Sequence, residues 1–152
     1  QSEYCEMLGG YTFQYKRSAD IYVFDSVGTK GIVRKIVKFD RIGSNLFNVS
    51  LVDLDQQTGR VSDSVTTNNG DADRVLLTVA SIILNFMEKH PGVTISIQGS
   101  DAKRTRWYQM SLARNWRLIA PRFKVLGYIH GDWEDFRKGV NYVAFSVEKR
   151  LN

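Results

Sequence analysis

Between residues 75 and 87 apolar side chains return every three or four positions: Val75, Leu76, Val79, Ile82, Ile83, Phe86 and Met87. That spacing belongs to a helix with one buried face. Thr67-Asn68-Asn69-Gly70-Asp71 supplies the turn that leads into it, and His90-Pro91-Gly92 stops it. Little on this helix is suited to chemistry, so its role is core. A helix of this kind must cover an apolar surface, and the flanking sequence reads as strands that provide one.

Tyr11 to Lys16, Asp20 to Ser26 and Gly31 to Asp40 are strand-like, with Gly28 and Gly43 at the breaks. Residues 32 to 39 are rich in β-branched side chains with charges between, which suits a half-exposed strand. Leu46 to Leu54 alternates, with Phe47, Val49 and Leu51 on one side. Residues 55 to 60 read as a hairpin loop with Gly59 at positive φ, and Arg60 to Thr66 as the returning strand. Beyond the helix, a buried strand starting at Thr94 runs through Gly99-Ser100 into a second helix, Asp101 to Ile119, which ends before Pro121. Lys124 to His130 and Asn141 to Glu148 read as closing strands, joined by a loop over residues 131 to 139.

The expected architecture is α+β: an antiparallel sheet, first a meander of four or five strands, then helix, strand, helix and two strands, with two main helices packed on it. At 152 residues, one domain spanning 1–152 is the economical reading. Residues 1 to 10 have no period and end in Gly9-Gly10, a frayed end or a strand start. Ribonuclease-H-like folds share part of this order, but their metal site needs carboxylates inside the first helix. Here that interior is Leu, Val, Ala, Ile and Phe, so that reading is not adopted.

The chemistry-bearing stretch is the start of the second helix. Ser100 or Asp101 can cap it, and Gly99 permits a tight turn and a close approach to the backbone. Free N–H groups and the helix dipole favour an anion there, with Arg104 or Arg106 able to close over it. At 100° per residue, Thr105, Tyr108, Leu112, Trp116 and Ile119 fall on a core-facing side. Lys103, Arg106, Trp107, Met110, Arg114 and Arg117 fall on the opposite side. From residue 101 to 124 seven cations stand against Asp101 alone, a net +6, whereas the whole chain carries +5. The basic character therefore belongs to one segment.

Thr67-Asn68-Asn69-Gly70-Asp71, together with Gly99-Ser100 followed by Arg104-Thr105-Arg106 and Tyr108, resembles the signatures of a family of short, uncharacterised bacterial proteins found mostly in Bacteroidetes. The likeness covers roughly residues 11 to 150, and Trp107 stands where that family usually has Leu. The resemblance implies no activity and no cofactor. It does pair the turn before the first helix with the start of the second.

Several function classes fall away. Cys5 is the single cysteine, so no intramolecular disulfide exists and a reducing cytoplasm fits best. No apolar run approaches the roughly 20 residues that span a bilayer. Asp53-Leu54-Asp55 is not a calcium loop, since Gln57, Thr58 and Ser64 stand at the positions needing a third oxygen ligand, a Gly and a Glu. His130, Asp132, Glu134 and Asp135 form the one cluster suited to metal or acid–base work, but the plainer reading is a polar loop with Asp132 capping a helical turn. Cys5 has no nearby His to activate it, and no phosphate loop, nucleophile elbow or dinucleotide fingerprint occurs.

A binding protein without cofactor or metal is therefore expected in preference to an enzyme. The leading reading is a polyanion such as nucleic acid on the basic helix, with Lys103, Arg106, Arg114 and Arg117 on phosphates and Trp107 stacking a base. One alternative is a small phosphorylated ligand at Gly99-Ser100, held by Ser100, Arg104 and Arg106. Asn68, Asn69 and Asp71 would join it if the two helix starts lie side by side. The other is a protein-interaction module, antitoxin-like or defence-related, with an acidic partner facing Trp107 and Met110.

Overall fold

The computed structural model describes residues 8–55, 57–62 and 69–151. Four strands come first: β1 (Gln14–Lys16), β2 (Ile21–Gly28), β3 (Gly31–Gly43) and β4 (Leu46–Leu54). A two-residue β5 (Val61–Ser62), helix α1 (Ala72–Lys89) and β6 (Thr94–Ile97) follow. Helices α2 (Ala102–Arg114) and α3 (Trp116–Ile119) lead to β7 (Phe123–Ile129), β8 (Asp132–Asp135) and β9 (Ala144–Lys149). All strands belong to one sheet in the order β1-β2-β3-β4-β6-β9-β7-β8, with β5 paired to β4.

The α+β class and the opening meander are as expected, but the sheet is mixed. β4 and β6 run parallel, Phe47 opposite Ile95 and Val49 opposite Ile97. Parallel neighbours need a crossover connection, and α1 supplies it. The chain's final strand, β9, inserts between β6 and β7. Phe47, Ile95, Val147 and Val125 then form one row across four strands, and Val49, Ile97, Phe145 and Gly127 the next. α1 and α2 pack on the face that these rows share, while Asn48, Ser96 and Ser146 lie on the other.

The loop expected over 131–139 contains β8, which corrects the helical turn assigned to Asp132. His130 and Gly131 both have positive φ, 54° and 78°, and join Ile129 to Asp132 as a two-residue hairpin turn. The hairpin loop after β4 is as read: Gly59 sits at φ 73° and its N–H reaches Asp55 O at 2.7 Å. The returning strand is described only as far as Ser62, and the remainder to Thr66 lies outside the described residues.

α1 is buried on almost every side, more than its apolar stripe indicates. Thr78 Oγ1 accepts the Tyr11 N–H at 2.6 Å, and Asn85 Oδ1 accepts the Tyr22 hydroxyl at 2.9 Å. The segment carrying Tyr11 and Phe13 thus lies across the helix, and Leu8 is buried with it. Residues 1–7 lie outside the described part of the expected frayed end.

The second helix is not continuous. It breaks at Asn115, whose side-chain Nδ2 donates to Ser111 O at 2.8 Å and competes with the backbone ladder. The expected inward residues Thr105, Tyr108, Leu112, Trp116 and Ile119 are all buried or half-buried. The buried arc is wider than predicted and takes in Arg104, Gln109 and Ser111. α2 is held on both flanks. Arg114 pairs with Asp73 of α1 at 2.9 Å, while Gln109 accepts the Tyr142 N–H at 2.9 Å and donates to Val140 O.

Candidate functional site

At the end of β6 the chain passes through Gln98, Gly99 and Ser100 into α2. Asp101 is the N-cap, in extended backbone, and its Oδ1 accepts the Arg104 N–H at 2.7 Å. Its carbonyl accepts both the Thr105 N–H at 3.1 Å and the Thr105 hydroxyl at 3.0 Å. Thr105 Oγ1 in turn accepts the Gly99 N–H at 3.0 Å. The first-turn N–H groups of Ala102 and Lys103 lie outside this cap. A Cβ on Gly99 would meet Thr105 N at 2.5 Å and Arg104 Cβ at 2.9 Å. The close approach that glycine permits is thus made by the helix's own first turn.

Arg104 departs most from expectation. It is 7% exposed, and its Nε and Nη2 are buried without a hydrogen-bond partner among the described residues. Those two nitrogens form one edge of the guanidinium, the edge that takes a carboxylate or phosphate in two parallel bonds. Elsewhere this edge is used in that way: Arg34 places Nε and Nη2 on the two oxygens of Asp25, at 2.9 and 3.3 Å. Arg137 directs the same pair at Glu134 Oε2, at 3.0 and 2.9 Å. At Arg104 the edge has no anion among the described residues.

Of the other candidates, Ser100, Lys103, Arg106, Arg114 and Arg117 are exposed. Met110, half-exposed at 50%, shares their outward side. Arg106 Nη1 donates to Asn141 Oδ1 at 2.7 Å, and Arg114 is tied to Asp73 and to Ser111 Oγ. Trp107 does not point outward as expected. It is half-buried, its ring lies 5.4 Å from that of Tyr108, and both line a cavity under α2. Trp107 is therefore not placed as an exposed stacking platform.

The two helix starts are not side by side. The last turn of α2 meets the first turn of α1, through Arg114 and Asp73, and α2 spans about 20 Å at 1.5 Å per residue. Asn68 lies outside the described residues. Asn69 is 2% exposed and fully engaged. Its Nδ2 donates to Ser26 Oγ at 3.1 Å and Gly31 O at 3.0 Å, and its Oδ1 accepts the Lys30 N–H at 2.6 Å. Its carbonyl accepts the Thr29 N–H at 3.1 Å, so close to Gly28 that a Cβ there would lie 1.8 Å away. Asp71 occupies the N-cap position of α1 yet makes no side-chain cap. Its Oδ2 instead accepts the hydroxyls of Tyr11 and Ser26, both at 2.5 Å. Burial, then the Asp71 hydrogen bond, pushes the Tyr11 phenol above its ordinary value, so it stays a donor. These residues clamp the β2–β3 hairpin to the start of α1, which corrects their placement at a shared ligand site.

The acidic cluster also resolves into structure. Among the described residues no three His, Cys, Asp or Glu side chains could hold a metal ion. Cys5 lies outside them. Glu134 Oε2 accepts the Tyr142 hydroxyl at 2.6 Å and the Arg137 guanidinium. Those hydrogen bonds, Tyr142's first and Arg137's next, hold the carboxyl below its ordinary 4.5. A carboxylate depressed on folding contributes stability above its unfolded-state pKa, and that contribution is lost as pH falls through the folded value. Glu134→Gln is therefore expected to flatten the loss of stability below pH 4.5. Urea midpoints between pH 7 and pH 3 measure it, and parallel pH profiles for the two proteins would refute it.

Residues 8–150 match a family of unknown function, DUF6934, and the chain belongs to that family. No curated protein and no solved structure matches the chain. No helix among the described residues is long and apolar enough to cross a membrane.

Proposed function

We propose that this protein binds an anionic ligand at the start of α2, with Arg104 as its anchor. The observation that carries the reading is the buried guanidinium edge of Arg104, which has no hydrogen-bond partner among the described residues. Burying an unpaired charge costs several kcal/mol, and an oxyanion seated on Nε and Nη2 offsets that cost. Phosphate suits the edge because it accepts in two parallel bonds, and the helix start adds favourable dipole and N–H groups. Ser100, Lys103 and Arg106 stand exposed around the same turn and a half of helix. The setting is a bacterial cytoplasm, which the single cysteine and the resemblance to bacterial proteins support. Calorimetric titration with inorganic phosphate at low salt tests the reading. Saturable binding that disappears in Arg104→Met supports it, and equal binding by the two proteins refutes it.

A polyanion such as nucleic acid remains the second reading, because Lys103, Arg106, Arg114 and Arg117 all keep exposed side chains around Met110. Arg114 already serves Asp73, so charge reversal there would damage the fold. Lys103→Glu with Arg117→Glu is the cleaner probe, since neither has a hydrogen bond or ion pair among the described residues. Its thermal midpoint is expected to stay near wild type. Binding of labelled single-stranded DNA or RNA that weakens between about 50 and 200 mM salt, and is lost in this variant, supports the polyanion. Absence of binding at low salt removes it.

A further inference from the structure

α1, α2 and the central strands enclose a cavity of ≈ 80 Å³. Val79 and Ile83, four apart on α1, line it from one helix, and Tyr108 and Leu112, four apart on α2, line it from the other. Its walls are apolar or aromatic throughout, and Trp107 and Tyr108 are the two wall residues whose side chains carry a polar atom. Arg104 is not among them, so the cavity is a place apart from the guanidinium edge. Leu51, Val79, Ile97, Trp107, Tyr108 and Leu112 lie on the wall and are only half-buried, although each packs against the core. Large apolar side chains in such positions ordinarily cover one another, since protein interiors hold few voids larger than a water molecule. A gap of this kind costs stability in proportion to its volume. Water does not offset that cost, because a buried water needs several polar partners and an apolar cavity stays dry.

We infer that this cavity is a second binding site, for a small uncharged apolar molecule of about three or four carbon atoms. The inference goes beyond the anion-binding reading and does not depend on it. An engineered apolar cavity of about 150 Å³ binds benzene or xenon, so one of about half that volume holds a guest of about half benzene's size. The walls set the chemical class. A hydroxyl buried without a partner loses its bonds to water, and a buried charge loses far more. The guest therefore carries neither. The rings of Trp107 and Tyr108, 5.4 Å apart and inclined at 64°, give the wall aromatic surface to pack against it.

The test is NMR titration of the full chain with dissolved xenon, isobutane and benzene, and with tert-butanol, which adds a hydroxyl to the shape of isobutane. Methyl signals of Leu51, Val79, Ile83 and Leu112 report on the cavity. Xenon and isobutane are expected to shift them saturably, and tert-butanol to bind at least about tenfold more weakly than isobutane. Benzene is expected to bind more tightly once Leu112→Ala enlarges the cavity. Val79→Phe, which fills it, is expected to abolish the response to xenon and isobutane, and Ala80→Leu serves as a second filling variant if Val79→Phe fails to fold. Arg104→Met is expected to bind isobutane as wild type does. Signals that stay fixed with xenon and isobutane, or that shift equally in a folded filling variant, overturn the site. Tert-butanol binding as tightly as isobutane overturns the ligand class. Loss of isobutane binding in Arg104→Met overturns the separation of the two sites. Phosphate affinity is measured apart from all of these, so the anion reading stands or falls on its own.

Discussion

Arg104→Met should make the protein more stable by about 1–4 kcal/mol while removing its affinity for inorganic phosphate, the range seen when buried ion pairs give way to apolar side chains of similar volume. The stabilising part follows from Nε and Nη2, which are buried and have no hydrogen-bond partner among the described residues. Methionine keeps most of the stem's packing and needs no anion. The Arg104 N–H is unaffected, since its bond to Asp101 Oδ1 is made by the backbone. Urea unfolding measures the change as a higher midpoint at unchanged slope. A residue that lowers stability yet sits at a helix start with its bidentate edge unused is hard to explain as architecture. A variant less stable than wild type would show Arg104 to be a structural residue.

Asn69→Ala should act in the opposite direction and cost about 3 kcal/mol or more. Nδ2 and Oδ1 together join β2, the β2–β3 turn and β3. Removing them leaves buried groups unsatisfied, at about 1–3 kcal/mol each. The Lys30 N–H and the Gly31 carbonyl lose their partner, as does Ser26 Oγ on its accepting side. For a chain of this length the thermal midpoint should fall by roughly 6–12 °C. Ligand affinity at α2, measured below that midpoint, should not change. A folded, equally stable Asn69→Ala protein with weakened phosphate binding would instead return Asn69 to the site.

Periodicity made the large elements legible. The three-and-four spacing after Asp71 marks α1, and the alternation of Phe47, Val49 and Leu51 gives the inward face of β4. Pairing between distant strands was not legible. Nothing local to residues 144–149 states that they insert between β6 and β7, because that choice is made by complementary faces after the helices dock. The His130-Gly131 turn hid because histidine is an unusual residue at positive φ, and the residues it joins, Ile129 and Asp132, do not alternate clearly.

The candidate site was legible in its backbone and obscure in its side chains. Asp101 as cap and Gly99 as a close-approach residue follow from local chemistry. A helical wheel, however, assumes one partner on one side. α2 has the sheet beneath it, α1 beside its last turn and the 140–142 segment on its other flank. The arc of burial widens accordingly, drawing Arg104 inside and turning Trp107 to the cavity. Asn69 and Asp71 stand as polar groups near a helix start, a pattern that suits anion binding. Their partners Tyr11 and Ser26 lie at least 43 residues away in sequence, beyond the reach of any local pattern.

The most direct measurement follows the arginine side-chain Nε–H signals by NMR as inorganic phosphate is added at low salt. Arg104→Met identifies the signal that belongs to Arg104. The account predicts that this signal shifts with saturable dependence on phosphate and exchanges more slowly with water once phosphate is bound. An Arg104 signal that stays fixed while phosphate binds, or while only Arg106 and Arg117 respond, would contradict it and place the anion elsewhere.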